Sequence, residues 1–417
     1  MKCARRVVMM WFIAEIKPAV LATAVLSVSL TGCATGPKTF DRAGLTGEQA
    51  AIVASKPTVI REDYRNLYEE GRRNEVLNLM EIGLKSYRAG DIEEARRSLD
   101  RARIIIESVY ADDEAARRAR SVWYEEAEKD FKGEPYERAM VYLYLGLVFL
   151  EQGDYGNARA SFIGGLLQDA FAEEEQFSSD FAALIYLAGW AAMQMDSQEL
   201  ARQHFTELQT FRPDAPLPSK EHNALLVVET GTSPRKLGDG VGHYQLVYRR
   251  GRNFTDVGAQ WYNGDQWQTV YPMEDIYFQA STRGGRAIDR IVEGQVQYKE
   301  TTRDIGTNLS AVSQNSLLAG ASASAGGALG AGFAAISLVS VAAQGMSAAA
   351  NVRADIRYWQ SLPDTLHIIP VSAEPGQQVT VRFLDADGQP IPGMTDTAEF
   401  RFDGRGRGLA LATSQRP

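Results

Sequence analysis

Glycine stands at 83, 146 and 189, and each time an alanine follows at one fixed interval, at 95, 158 and 201. A bulky apolar residue then follows at a second fixed interval, at Leu99, Phe162 and Phe205. The three windows align without gaps, and they lie in a stretch, from about Arg61 to Leu208, dominated by Ala, Glu, Arg and Leu with apolar residues at three- and four-residue steps. That periodicity predicts amphipathic helices. A missing side chain on one helix, met by a small residue and a wedge on the next, predicts helix pairs in very close contact. Pro135 falls between two predicted helices and Pro213 ends the third window.

The pattern resembles the tetratricopeptide repeat, a pair of antiparallel helices joined at small residues with an aromatic wedge between them. The glycines are 63 and 43 residues apart, against a period of about 34 for a continuous array, so insertions of 29 and 9 residues separate the windows. A generic helical bundle is the competing reading. The resemblance implies that the first helix of each pair lines a concave groove. The groove residues would be Leu77, Met80, Leu84 and Tyr87, then Met140, Leu143, Leu147 and Leu150, then Ala183, Tyr186, Trp190 and Met193. All are apolar or aromatic, and so large an apolar surface is not left to solvent. Either the chain fills its own groove, with the first insertion or its C-terminal part, or a partner's amphipathic helix docks there.

The N-terminus carries an address. Residues Pro18 to Leu30 form an apolar run with basic residues upstream, shorter than the ~20 residues of a membrane span and suited to a secretory leader. The run ends in Leu30-Thr31-Gly32-Cys33, which resembles the bacterial lipobox. The resemblance implies a signal peptide over 1–32, diacylglycerol on the Cys33 thiol, and three acyl chains (palmitate among them) holding the mature chain to a bilayer. An ordinary signal peptide with a chance cysteine is the alternative. Glu15 and Lys17 interrupt the leader, so translation starting at Met9 or Met10 would leave Cys3 unmade. With Cys33 lipidated, no disulfide is expected. Ala34, where retained lipoproteins carry Asp, implies the outer membrane. Residues 33–60 read as a lipidated tether and 61–216 as the helical domain.

Past Pro216 the character changes to short apolar and alternating runs, with strands expected at Ala224–Glu229, Tyr244–Tyr248, Asp275–Phe278, Leu366–Pro370, Gln378–Phe383 and Glu399–Phe402. Pro375-Gly376 and Asp387-Gly388 are expected as hairpin turns. No charge occurs between Asp304 and Arg353. That Gly/Ala-rich segment reads as a buried helix or hairpin, a membrane-inserting element or a linker. The expected organisation is α+β: the helical solenoid, a mixed α/β region over 217–303, the uncharged segment over 304–352, a small β domain over 353–407 and a loose tail over 408–417.

No catalytic constellation is legible. His204, His222, His243 and His367 have no partners at ligand spacing, so no metal or other cofactor is expected. Gly238–Gly242 lacks the Lys-Ser/Thr of a phosphate loop and reads as a turn. Ser233-Pro234-Arg235-Lys236 reads as a solvated basic turn, and Glu173–Glu175 as a solvated helix end. The chain carries −9, and about −12 without its basic leader, which argues against nucleic-acid binding.

Three stretches, Pro135–Arg159, Leu226–Lys236 and Ala354–Pro363 leading to Pro375-Gly376, together look like a family of Gram-negative bacterial lipoproteins with tetratricopeptide repeats and no assigned activity. The length of residues 317–350 departs from it. The resemblance implies a periplasm-facing, membrane-tethered accessory protein. The lipobox, the repeats and the lack of a catalytic cluster together lead to the expectation of a non-enzymatic outer-membrane lipoprotein that scaffolds an envelope assembly, with a bilayer and a protein as partners and no small-molecule substrate. A component of an outer-membrane pore or secretion complex using the Gly/Ala-rich segment, or a cell-wall enzyme, are the alternatives.

Overall fold

The computed structural model describes residues 42–110, 130–170, 180–239, 245–283 and 355–415. The leader, Cys33, the uncharged segment and Glu173–Glu175 lie outside these residues. The architecture is α+β. Its helices are α1 (Gly47–Ser55), α2 (Thr58–Glu70), α3 (Glu75–Arg88), α4 (Ile92–Tyr110), α5 (Pro135–Glu151), α6 (Tyr155–Ala170), α7 (Ala182–Gln194), α8 (Gln198–Phe211) and a short α9 (Ile276–Arg283). From α1 to α8, each helix packs on its neighbours in sequence. The helical region starts earlier than the tether expectation allows. Thr46 and Gln49 close a reciprocal capping box at the head of α1.

The glycine pattern is read out in the helix contacts. A Cβ on Gly83 would stand 2.6 Å from Leu99 Cγ, and one on Gly189 would stand 2.7 Å from Phe205 Cε1. One on Gly146 would overlap the ring of Phe162. The pairs α3/α4, α5/α6 and α7/α8 therefore approach at glycine, as the spacing predicts. The turns within the pairs repeat too. Gly90 and Gly153 take φ of +81° and +70°, and the third turn places Asp196 there at +57°. Asp tolerates this conformation at a cost, so Asp196→Gly is expected to raise the melting temperature. Gly146→Ala should destabilise by about 1–3 kcal/mol through overpacking. Gly156→Ala, at an exposed helical site whose nearest neighbour would be 3.8 Å away, should stabilise by about 0.4–1 kcal/mol. Chemical denaturation of the two variants reads the opposite signs; equal signs would contradict the close approach.

The strands are β1 (Ala224–Thr230), β2 (Arg235–Asp239), β3 (Gln245–Arg249), β4 (Gly258–Tyr262), β5 (Trp267–Thr269), β6 (Pro272–Asp275), β7 (Thr365–Val371), β8 (Gln378–Leu384), β9 (Pro390–Glu399), β10 (Arg401–Phe402) and β11 (Gly408–Thr413). They form a five-stranded sheet ordered β10-β11-β1-β7-β6, a β2–β3 ribbon, and a four-stranded sheet ordered β5-β4-β8-β9. β1 is buried on both faces. Leu225 and Val227 join the core shared with the helices, while Ala224, Leu226 and Val228 join a second core with Val379, Val381 and Phe383 of the four-stranded sheet. This produces three layers: helices, central sheet, outer sheet.

Several expectations are corrected. The mixed region and the C-terminal β region are not separate units: β1 sits between β7 and β11, and β4 pairs with β8. Instead of one small C-terminal sheet, there are three among the described residues. The expected tail supplies β11, parallel to β1, because Ala410 and Ala412 are small enough to pack between the two sheets. The expected strand at Asp275–Phe278 stops at Asp275, whose carboxylate accepts the Phe278 N–H at 2.9 Å and starts α9. Pro375-Gly376 carries the chain from one sheet to the other, whereas Asp387-Gly388 lies between the paired strands β8 and β9.

Candidate functional site

The expected groove is occupied by its own chain. Met80, Leu84, Tyr87, Met140, Leu143, Leu147, Leu150, Ala183, Tyr186 and Trp190 are all buried, and Leu77 and Met193 are partly buried against the same core. Their neighbours in that core include Leu225 and Val227 of β1, Leu366 and Ile368 of β7, Leu409 of β11 and Trp359. None of the twelve is an open docking surface in this fold; the apolar stripe was real, and the C-terminal part covers it.

The cover is held by carboxylates that the helices aim at backbone. Residues 355–364 form a strap across α3 and α5. Glu137 of α5 accepts the Trp359 N–H at 2.6 Å, and Glu81 of α3 accepts the Gln360 N–H at 2.8 Å. Ser233 donates to the Trp359 carbonyl at 2.7 Å, and the Trp359 indole meets the Tyr144 ring edge-on with centroids 6.0 Å apart. At the far end Arg357 donates to Asn74 Oδ1 at 2.6 Å and to the Arg73 carbonyl at 2.9 Å. Deeper in, Glu229 of β1 accepts from Arg88 Nε at 2.7 Å and from the Tyr144 hydroxyl at 2.6 Å. Arg88 Nη1 in turn donates to Gln415 Oε1 at 3.1 Å, tying the C-terminal segment down. The basic turn expected in solvent is packed as well: Ser233 and Lys236 are buried, and Lys236 pairs with Glu134.

Burial shapes the titration of this interface. It pushes the Glu137 carboxyl up to about 7 against the pull of Lys236, and the Glu274 carboxyl up to about 8 against that of Arg212. Asp364, buried beside Arg250 and Asp275, is pushed up to about 7. Burial drives His367 down to about 4; it sits between the Thr230 hydroxyl and the Val270 carbonyl as a neutral core histidine. The raised carboxyls favour the folded state fully below their unfolded values, 4.5 for the glutamates and 3.8 for Asp364, and lose that contribution as pH rises through 7–8. His367 favours it above its unfolded value of 6.5 and loses that as pH falls toward 4. Between pH 6.5 and 8.5 the carboxyls dominate, because His367 has only the last half of its unfolded-state titration left there, in the opposite sense. Thermal melting should therefore occur at lower temperature at pH 8.5 than at 6.5, and Glu274→Gln should flatten the difference. A melting temperature that rises over this interval would contradict the burial of these acids.

Two open surfaces stand out among the described residues. One is a cleft of about 680 Å³ between α1, α2, α3 and α4. At its wall Glu94 accepts from Lys56 Nζ at 2.7 Å and from the Tyr64 hydroxyl at 2.6 Å. Burial alone would raise the Glu94 carboxyl, but these bonds outweigh it and hold it below its ordinary range. Arg72, Arg97 and Arg101 ring the mouth, over a floor that includes Leu67 and Leu79. The other is the outer face of the four-stranded sheet, where Tyr262 and Trp267 stand together with ring centroids 5.4 Å apart. Neither surface was singled out from sequence. The Thr46/Gln49 cap could have revealed α1, and hence one wall of the cleft; the alternation Gln260–Tyr262 and Gln378–Arg382 could have revealed an open sheet face.

Among the described residues no three His, Cys, Asp or Glu side chains gather so as to hold a metal ion. Nor is any described helix long and apolar enough to cross a membrane. Comparison with protein-family models and with curated proteins gives no match for this chain.

Proposed function

We propose that the chain is a non-enzymatic lipoprotein, anchored in the outer membrane through acylated Cys33 and facing the periplasm, where its folded body scaffolds an envelope assembly. The observation that carries this reading is the Leu30-Thr31-Gly32-Cys33 motif at the end of a short apolar run with basic residues upstream. Three buried acyl chains exceed the two signals needed for stable anchoring. The helix pairs are read as tetratricopeptide-like, supported by the repeated contacts of Gly83, Gly146 and Gly189 with Leu99, Phe162 and Phe205. The scaffold reading is supported by a large α+β body whose buried acids are engaged by backbone and basic partners. Because the inner face of the helices is covered, we put the partner's contact at the cleft between α1, α2, α3 and α4, which Arg72, Arg97 and Arg101 help to line.

Metabolic labelling with radioactive palmitate tests the anchor. Wild-type protein should take up label and float with outer membranes at high salt, and Cys33→Ala should do neither. Flotation of Cys33→Ala with outer membranes at high salt would overturn the reading.

A further inference from the structure

The outer face of the four-stranded sheet is open, with Tyr262, Thr269, Thr380, Thr395 and Thr397 exposed. Pairing sets its side chains in rungs. Thr269, Gln260, Arg382 and Thr395 stand side by side across β5, β4, β8 and β9. Next to that rung Trp267 faces Tyr262, and Thr380 faces Thr397. Arg382 is the distinctive member. Its guanidinium lies 4.2 Å from the centre of the Trp267 ring, and its Nε and Nη2 donate to Gln260 Oε1 at 2.9 and 2.7 Å. Among the described residues it has no carboxylate partner, and its Nη1 edge makes no hydrogen bond. An arginine held over an indole, with a free two-donor edge, is prepared for a carboxylate.

We propose that this face binds an acidic glycan. Sugar rings present C–H faces that suit the tilted planes of Tyr262 and Trp267, while their hydroxyls suit the rows of threonine hydroxyls and the Gln260 amide. A carboxylate borne by the sugar chain takes the free edge of Arg382. The face is polarised: Glu399, opposite Gln378 on the far rung, repels an anion from that end and directs it toward Arg382. Four strands at ~4.8 Å spacing give a platform about 14 Å across, room for a short oligosaccharide. A cation with no carboxylate partner among the described residues, in a chain of net charge −9, selects an anionic ligand over a neutral one. Resting on the envelope reading for its source, the ligand is the cell-wall glycan, a polymer of N-acetylated sugars with carboxylate-bearing stems.

Full-length protein in detergent, mixed with purified peptidoglycan sacculi and sedimented, tests this, with cellulose as the neutral control. Wild type should co-sediment with sacculi and not with cellulose. Arg382→Gln and Thr397→Glu should each weaken binding at least tenfold without lowering the melting temperature. Thr397 is exposed, so its replacement guards against loss of fold, which Trp267→Ala would not. Absence of co-sedimentation, equal binding to cellulose, or wild-type affinity in both variants would overturn the proposal. Palmitate labelling reports separately: sacculus binding without label would keep the glycan face and remove the anchor.

Discussion

Trp359→Ala is expected to cost about 3–5 kcal/mol in folding stability, the range for emptying a site of this size in a closed core. The indole is fully buried at the junction of helices and central sheet, in edge contact with Tyr144. Its backbone is gripped from both sides, by Glu137 on its N–H and by Ser233 on its carbonyl. Because these main-chain bonds do not depend on the side chain, the strap has little freedom to collapse into the cavity. Urea denaturation reads the loss as a lower midpoint with an unchanged slope. Trp359→Phe, which keeps an aromatic ring against Tyr144, should recover a substantial part. A loss below about 1 kcal/mol for the alanine variant would mean that the strap is not a packed element.

A loss of similar size is expected from Glu229→Leu. The carboxylate and its partner Arg88 are both buried, and removing one partner leaves the other as an uncompensated buried charge, at about 3–5 kcal/mol. It also removes the acceptor of the Tyr144 hydroxyl, whose own ionisation burial and the nearby carboxylate push far above the ordinary tyrosine range. The pair can be separated from its neighbours by a cycle. Arg88→Met combined with Glu229→Leu should restore much of the loss, because apolar side chains of similar volume can replace a buried ion pair at little cost. If the two single losses simply add in the double variant, Arg88 and Glu229 do not act as a unit.

What could be read from sequence was what repeats or alternates. Gly83, Gly146 and Gly189 announced close helix contacts because a missing Cβ has one obvious use at that spacing, and the wedges at Leu99, Phe162 and Phe205 are found against them. The run Ala224–Glu229 was legible as a buried strand because both of its faces are covered. What covers the helices was not legible. The strap is anchored by bonds that span the chain, Trp359 to Glu137 and Gln360 to Glu81, and no local pattern pairs residues so far apart. Gly408–Thr413 gave a weak strand signal, since its packing uses alanine where a strand usually shows branched or aromatic side chains. The buried Lys236 and Ser233 misled for a related reason: a basic turn looks solvated until its carboxylate partner, Glu134, the residue that caps α5, is brought to it.

The central claim is that the apolar stripe along the first helix of each pair is internal architecture. Trp190 carries that claim in one residue, since it lies on the predicted groove and is 2 % exposed. Equilibrium denaturation of Trp190→Ala measures it directly. The fold described above predicts a loss of about 3–5 kcal/mol relative to wild type. A variant as stable as wild type would contradict it, and would return that face of the helices to solvent or to a partner.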